Sequence, residues 1–517
     1  MKSEKFLQTI TAVIWVILLA VMGLMLLCIC KLNMLPWAYL AVLGGVLLGL
    51  WGLLGVLVWF RTKRSGHRAI HVRQILSQIL ALVLILACGI VTAAVSKAYQ
   101  TLDSISNTSV KTTSVNIFVR MDDPAQTLEH AGDYTFAVMQ DKDSQVSRKA
   151  VEAVEKELGH PIAQELCAGP AEMVEALLDR RVDAIIISAS YIHILEENNL
   201  FENLLQQIRE LYTLSLTEQI KVPEGTRPQQ QEDDPAGETK PAYVRPTTGI
   251  TTHPFVVYIS GSDTRTEFLV ARNSDVNILA VVNPVTKQVL LVNTPRDYYI
   301  PNPAGGGALD KLTHLGGFGV DVSMRGLSEL YGMDIDYYAQ ICFSGFETLI
   351  DAVGGVEVYS DHSFQAADIF VQEGCNYFDG ADALKFCRER KRLPMGDIDR
   401  GKNQMKVIQA VVDKLTSSKL ITNYSEILDS LEGMFATNIS TKDISAMVKM
   451  QLNENVKWDV FSYSSEGYGS WEETYSMPGS ELSVMIPYQS QVDHAAELID
   501  RVLAGEKLTQ DDLKLPE

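Results

Sequence analysis

The sequence predicts an α/β protein carried on three membrane-spanning helices, and three observations carry that expectation. Apolar runs at about 6–30, 35–60 and 75–95 each approach the roughly 20 residues that a helix needs to cross a bilayer. Beyond residue 97, strand-length apolar runs alternate with amphipathic helical patterns, as in a layered α/β fold. A stretch at 223–254 with six prolines and almost no large apolar side chains divides that remainder in two, because such a composition cannot build a core.

The three runs exceed both the short apolar core of a cleaved signal peptide and the usual length of an uncharged buried helix. Their flanks set an orientation, since Lys and Arg close to a membrane end stay cytoplasmic. Lys2 and Lys5 precede the first run, and Arg61, Lys63, Arg64, Arg68 and Arg73 lie between the second and third, whereas the first connection carries Lys31 alone. The N-terminus is therefore expected inside the cell, and everything after about Lys97 outside.

Charge divides at the same place. The first 97 residues hold nine Lys+Arg and one Asp+Glu, a balance of +8, which leaves 35 against 63, or −28, for the rest of a chain of net charge −20. So acidic a remainder lacks the broad basic footprint that nucleic acid requires, and no nucleic-acid partner is expected. Seven cysteines without a CxxC or Cys/His metal spacing indicate no disulfide framework. Cys375 and Cys387 could pair outside the cell, but scattered buried thiols are the simpler reading.

Residues 98–222 read as a small accessory α/β domain: "SVNIFVR" and "YTFAVMQ" as strands, "SRKAVEAVEKELG" and "AEMVEALLDRR" as helices, "VDAIIIS" as a buried strand. Nothing in its residues gives it an activity. After the 223–254 linker, residues 255–517 form the second domain. It opens with the strand "FVVYISGSD" and two buried strands in "SDVNILAVVNPVTKQVLLVNTPRD" joined by a turn at "NPVTK". "SMRGLSELYG" and "FSGFETLIDAVGG" follow as helices closed by glycine, "VEVYS" as a strand, "GADALKFCRER" as a helix or strand, and "RGKNQMKVIQAVVDKL" as a long amphipathic helix.

Three stretches put charged groups where strands end: "GSDTR" with "NSD", "TPRD", and the basic cluster "RERKRLPMGDIDR" at 388–400. Asp263 and Asp275, one closing a strand and the other opening the next, could share a hard cation, since Mg²⁺ is held by one or two carboxylates with water and phosphate oxygens completing its shell. On spacing alone, two solvated turn aspartates are the simpler reading. Arg388 and Arg390, if on a strand, share a face, and Arg400 opens a helix whose N–H groups favour an anion. With Arg296 they would suit a diphosphate, because the guanidinium fork matches phosphate oxygens. A solvated basic face neutralised by Glu389, Asp397 and Asp399 is the alternative.

Together, "GSDTR", "NSDVNILAVVNPVTKQVLLVNTPRD", "LDKLTHLGGFGVDVSMRGLSELYG", "FETLIDAVGGVEVYS" and "FDGADALKFCRERKRLPMGDIDRGKNQMKVI" resemble the ordered signature blocks of the LytR-CpsA-Psr family of cell-wall glycopolymer ligases, from about residue 256 to 415 and more weakly to about 503. Three spans followed by an accessory domain resemble its capsule-associated branch. The resemblance implies a phosphotransferase fold, with a central sheet flanked by helices and a long apolar pocket for a polyprenyl lipid. It implies transfer of a glycopolymer, capsular polysaccharide before a teichoic-acid-like polymer, from an undecaprenyl-diphosphate carrier to peptidoglycan, with Mg²⁺ (or Mn²⁺) as cofactor. Membrane lipid and other capsule or wall-polymer assembly proteins are the further partners it implies.

Residue by residue, the resemblance puts Asp263 and Asp275 on metal carboxylates and Arg296, Arg388, Arg390 and Arg400 on diphosphate-binding arginines. It puts Gln404 and Lys311 on polar positions of the same site, and Asp397 on an acidic one. Asp397 and Asp263 are the candidates for a general base. The chain departs from the pattern at Cys342, where Asn or Asp is expected, and at "KRLPM", which is unusually basic and apolar. Two other readings remain: hydrolysis of the lipid diphosphate, which uses the same residues, and a non-enzymatic regulator that binds the lipid-linked polymer, whose mark would be loss of Asp263, Asp275 or the arginines, all of which are present.

Overall fold

Residues 96–105 contain neither Gly nor Pro, and in the computed structural model the third apolar helix runs straight through them, ending at Ile105 rather than near residue 95. The model describes residues 2–59, 67–106, 110–140, 145–197, 200–201, 203–219, 249–262, 273–416 and 431–515. Helices α1 (Lys2–Leu32), α2 (Trp37–Trp59) and α3 (His67–Ile105) are long and apolar enough to cross a membrane over Thr9–Leu32, Trp37–Val56 and Val72–Ile105. Most of the 223–254 linker, through residue 248, lies outside the described residues.

The accessory unit is one mixed sheet. Strands β1 (Val110–Arg120), β2 (Thr135–Met139), β3 (Ala163–Cys167), β4 (Ala184–Ser188) and β5 (Ile208–Gln219) lie in the order β3-β2-β4-β1-β5. Helices α4 (Gln145–Leu158), α5 (Pro170–Leu178), α6 (Ala189–Glu197) and α7 (Leu204–Gln207) complete it. Ile185 and Ile187 of β4 face one core with Met173 and Leu177, while Ile186 faces another with Phe136 and Val154. That alternation is the period of two expected of a strand buried on both faces.

The C-terminal unit repeats the plan on a larger scale. Strands β6 (Phe255–Ser262), β7 (Val276–Asn283) and β8 (Gln288–Asn293) are followed by the short β9 (Tyr299–Pro301) and β10 (Leu309–Lys311), helices α8 (Leu312–Phe318) and α9 (Val320–Tyr331), and β11 (Tyr337–Cys342). Then come α10 (Phe343–Ala352), β12 (Val356–Ser360), β13 (Phe364–Ala366), β14 (Ile369–Val371), β15 (Gly374–Phe378), α11 (Gly380–Arg388) and α12 (Asp397–Leu415). Strand β16 (Phe435–Thr437), helix α13 (Thr441–Glu454), strands β17 (Asp459–Ser464), β18 (Gly467–Thr474) and β19 (Met477–Pro487), and helix α14 (Gln489–Leu503) finish the chain.

Its six-stranded sheet has the order β16-β11-β6-β7-β8-β17. Val256, Tyr258, Leu290 and Val292 face α8, α9 and α14, and Phe255, Val257, Val289 and Leu291 face Met405, Met450 and Trp458. β11 runs parallel to β6 and β17 parallel to β8, while β7 is antiparallel to both β6 and β8. Four strands therefore point the same way. Their carboxyl ends, with the start of β7, form one edge, the side of an open α/β sheet where ligands bind.

Two seams hold the parts together. The C-terminal end of α3 and the α1–α2 connection pack Met34, Ala98, Leu102 and Ile105 against Phe435, Ile444 and Val448, and the Ser106 and Thr441 hydroxyls share a buried 2.6 Å hydrogen bond. The C-terminal unit thus sits directly on the helical bundle. The second seam is the ribbon β18–β19, absent from the sequence reading: at its base Met485 N–H donates to Asp297 O at 2.7 Å, and at its tip Met477 and Leu482 are buried in the accessory core.

Candidate active site

Six of the anticipated residues come together at that sheet edge. Asp275, Arg296, Arg388, Arg390, Arg400 and Gln404 line one cavity of about 480 Å³. Asp275 stands immediately before β7, and Arg296 follows β8 by three residues. Arg388 ends α11, where a cation suits the carbonyl end of the helix, and Arg400 lies in the first turn of α12. Of the two readings of "GADALKFCRER", helix or strand, the helix holds: Arg388 is helical and Glu389 after it is extended (φ −65°, ψ 130°). A helix end followed by an extended residue, rather than strand alternation, presents both arginines to the cavity.

Two glycines allow this. Gly396 before α12 has φ 57° and ψ −113°, a backbone that residues with a Cβ rarely adopt. Gly401 presses α12 onto the end of β8 so closely that a Cβ there would fall 2.1 Å from Asn293 Nδ2. Arg400 is thereby brought beside the residues after β8.

The charges interlock. Arg296, 6% exposed, donates through Nη1 to Asp275, and its Nε lies 3.7 Å from Asp297 Oδ1. Lys311 Nζ approaches the same Asp297 oxygen to 3.3 Å, and Arg400 Nη2 pairs with Asp397 Oδ1 at 2.5 Å. Lys311 and Asp397 therefore flank the cavity through Asp297 and Arg400 rather than lining it. Gln404 donates to Cys387 O at 3.2 Å, fixing α12 against α11. The Arg388 guanidinium sits 4.7 Å from the Phe343 ring centroid, a cation–π arrangement that leaves its fork open to an anion.

The carboxyls are tuned in opposite directions. Burial pushes Asp297 upward, but Lys311, Arg296 and Arg400 outweigh it and hold the carboxyl below its ordinary value. Burial pushes Asp397 upward too, and there the relief from Arg400 falls short, with Asp297 adding repulsion, so it stays above its ordinary value. Neighbouring acids set apart in this way can take different roles in proton transfer.

The rest of the wall is apolar. Ile259, Val276 and Ile341 come from the sheet, and Phe343, Phe346, Leu384 and Ile408 from the helices. Cys342, where a polar residue was expected, is buried at the end of β11 and joins this apolar part. All seven cysteines are free, Cys375 exposed and Cys387 buried.

Asp263 lies outside the described residues. Among the described residues no three His, Cys, Asp or Glu side chains form a metal-binding group; Asp275, one of two carboxylates lining the cavity, fits an Mg²⁺ ligand, since this ion takes few protein oxygens. Sequence reasoning passed over two residues. Asp297 was visible inside "TPRD" beside Arg296, yet only the fold shows Lys311 beside it. Glu196, on α6 of the accessory unit, lines the cavity, and nothing in its local sequence marks it.

The sheet edge thus sets a cluster of arginines beside an apolar cavity. Residues 221–486 match the LytR_cpsA_psr family, and the chain belongs to that family. Among its relatives are two proteins named polyisoprenyl-teichoic acid–peptidoglycan teichoic acid transferase TagU. That of Enterococcus faecalis is 36% identical over 193 residues, 37% of this chain and 63% of the relative; that of Bacillus mycoides is 32% identical over 201 residues, 39% and 65%. The chain thus spans a little under two thirds of either relative. A solved structure, protein gbs0355 from Streptococcus agalactiae, aligns at 27% identity over 50% of this chain and 90% of that one, with a TM-score of 0.42.

Proposed function

We propose that this protein is a membrane-anchored phosphotransferase that moves an anionic glycopolymer from a polyprenyl-diphosphate carrier onto a peptidoglycan hydroxyl. The observation that carries the reading is the single cavity in which Asp275, Arg296, Arg388, Arg390 and Arg400 stand beside an apolar wall. A lipid diphosphate needs both halves of such a site. The TagU relatives, named for transfer of teichoic acid to peptidoglycan, support the reaction class. Capsular polysaccharide is the preferred donor on the three-helix, accessory-domain layout, and a teichoic-acid-like polymer is the second candidate. In the proposed orientation the N-terminus is cytoplasmic and both α/β units are extracellular, so the cavity meets the carrier at the outer leaflet, as the docking of α13 on α3 favours.

In this mechanism the acceptor hydroxyl attacks the phosphorus that bears the polymer, the bond from that phosphorus to the bridging oxygen breaks, and polyprenyl phosphate leaves. Little covalent help is needed, because phosphoryl transfer is accelerated mainly by positioning and by offsetting oxygen charge. Arg388 and Arg390 hold the diphosphate oxygens, and Arg296, oriented by Asp275 and Asp297, holds the third side. Asp275, with Asp263, would hold Mg²⁺, which supplies further charge neutralisation on the phosphate oxygens. Asp397, whose proton affinity burial raises, stands one step behind the cavity and takes the proton of the attacking hydroxyl through a bridging water.

The test incubates the full chain in detergent with a lipid-diphosphate-linked oligosaccharide, peptidoglycan and Mg²⁺, and follows products by mass spectrometry beside the folded variants Asp275→Ala and Arg388→Ala. A polymer–peptidoglycan conjugate lost in both variants is the expected result. Free polymer phosphate with no conjugate would replace transfer with hydrolysis, and bound lipid left intact would make the protein a receptor.

A further inference from the structure

Helix α6 belongs to the accessory unit by its packing. Ile192, Ile194 and Leu195 are buried in the accessory core, which also takes in Met477 and Leu482 from the tip of the β18–β19 ribbon. At its start the helix is wedged against the C-terminal unit, since a Cβ on Gly317 would lie 3.3 Å from Ser190 Cβ. At its other end Glu196 forms part of the wall of the arginine cavity. The accessory unit is thus fixed at two places, and one of its carboxylates completes the site.

The charges on that wall fall into two groups. Asp275 is taken by Arg296 and Arg400 by Asp397. Arg388, Arg390 and Glu196 make no ion pair among the described residues, and Glu196 is exposed. A lipid diphosphate has three parts to match to this wall. The polyprenyl tail excludes a carboxylate, because desolvating an unpaired charge against hydrocarbon is costly. The diphosphate excludes it as well, by like charge. What remains is the first sugar, whose hydroxyls donate to a carboxylate that can only accept.

Resting on the diphosphate reading above, we propose that Glu196 is a specificity-determining residue, through which the accessory unit selects a lipid diphosphate whose first sugar is uncharged over one whose first sugar is anionic. Hydroxyl donation favours the neutral sugar, and a sugar carboxylate placed beside Glu196 is repelled. Because Glu196 is exposed, the discrimination is modest, about fivefold, as for charges that water screens.

The test measures binding of three synthetic short-chain polyprenyl diphosphates to the full chain in detergent: one bearing an N-acetylhexosamine, one a hexuronic acid, and one no sugar. The unmodified protein should prefer the neutral sugar by about fivefold. With each affinity taken relative to the same protein's affinity for the sugar-free lipid, Glu196→Gln should bring the neutral-to-anionic ratio to about one and Glu196→Lys should invert it. A ratio unmoved in both variants, so that all three lipids shift together, overturns the assignment of Glu196. If the unmodified protein binds none of the three, the diphosphate reading falls first and this one with it.

Discussion

The two α/β units are built alike and differ at one edge. Each is a mixed sheet with helices on its faces and cores that alternate along the strands. In the C-terminal unit the edge where four codirectional strands end carries Asp275, Arg296 and Arg400 around a cavity of about 480 Å³. In the accessory unit, the carboxyl end of β4 meets the C-terminal unit at a cavity of about 70 Å³ lined by Ser188, Ser190, Tyr191 and His314. There the Asp310 carboxylate that holds His314 Nδ1, 2.7 Å away, also accepts from Ser476. The architecture is shared, while chemistry lies in what the strand ends carry: one edge is open and cationic, the other is closed against the neighbouring unit.

Breaking the open edge should have the largest effect. Arg296→Ala strips the buried partner from Asp275 and Asp297, and is expected to cost about 3 kcal/mol of stability and at least about 100-fold in conjugate formation, read by thermal melting and product analysis. Arg388→Ala, at an exposed position against Phe343, should lower conjugate formation by about 100-fold without moving the melting temperature. On the accessory side, Arg180→Ala removes an exposed pair with Asp122 and should leave both readings unchanged.

Acidity sharpens the comparison further. Asp397 sits above the ordinary carboxylate value because burial disfavours its charge. A base must be unprotonated to act, so activity should fall as pH drops through that raised value, earlier than an exposed aspartate would dictate. Asp397→Asn should lower the rate by about 10²-fold or more and remove this acid limb from the pH–rate profile. Gly401→Ala should displace α12 from Asn293 at a cost of about 1–3 kcal/mol in stability, while Gly469→Ala on the ribbon, with nothing within 4 Å, should be close to neutral in a melting experiment.

Much of the C-terminal sheet was legible because β6, β7 and β8 are buried on both faces and therefore read as apolar runs with turn residues between them. Helix α12 was legible from its amphipathic period. By contrast β3, "AQELC", exposes three of its five residues, and β18 carries Gly, Ser and Glu with one buried position, so neither shows a core pattern. The arginines and Asp275 were legible by residue type at strand and helix ends. Lys311 and Asp397 came from the family resemblance rather than from their local sequence, and their standing one step back from the cavity depends on Asp297, which only the fold joins to them. Glu196 could not be reached from sequence, because it is 79 residues before Asp275 and arrives through the packing of one unit on another.

Whether the cationic edge holds a lipid diphosphate is measured most directly by the affinity of the full chain in detergent for a sugar-free polyprenyl diphosphate, compared across the unmodified protein, Arg388→Ala and Arg180→Ala. Binding weakened by about tenfold or more in Arg388→Ala and untouched in Arg180→Ala is the predicted result. Equal affinity in all three, or no binding by the unmodified protein, would contradict it.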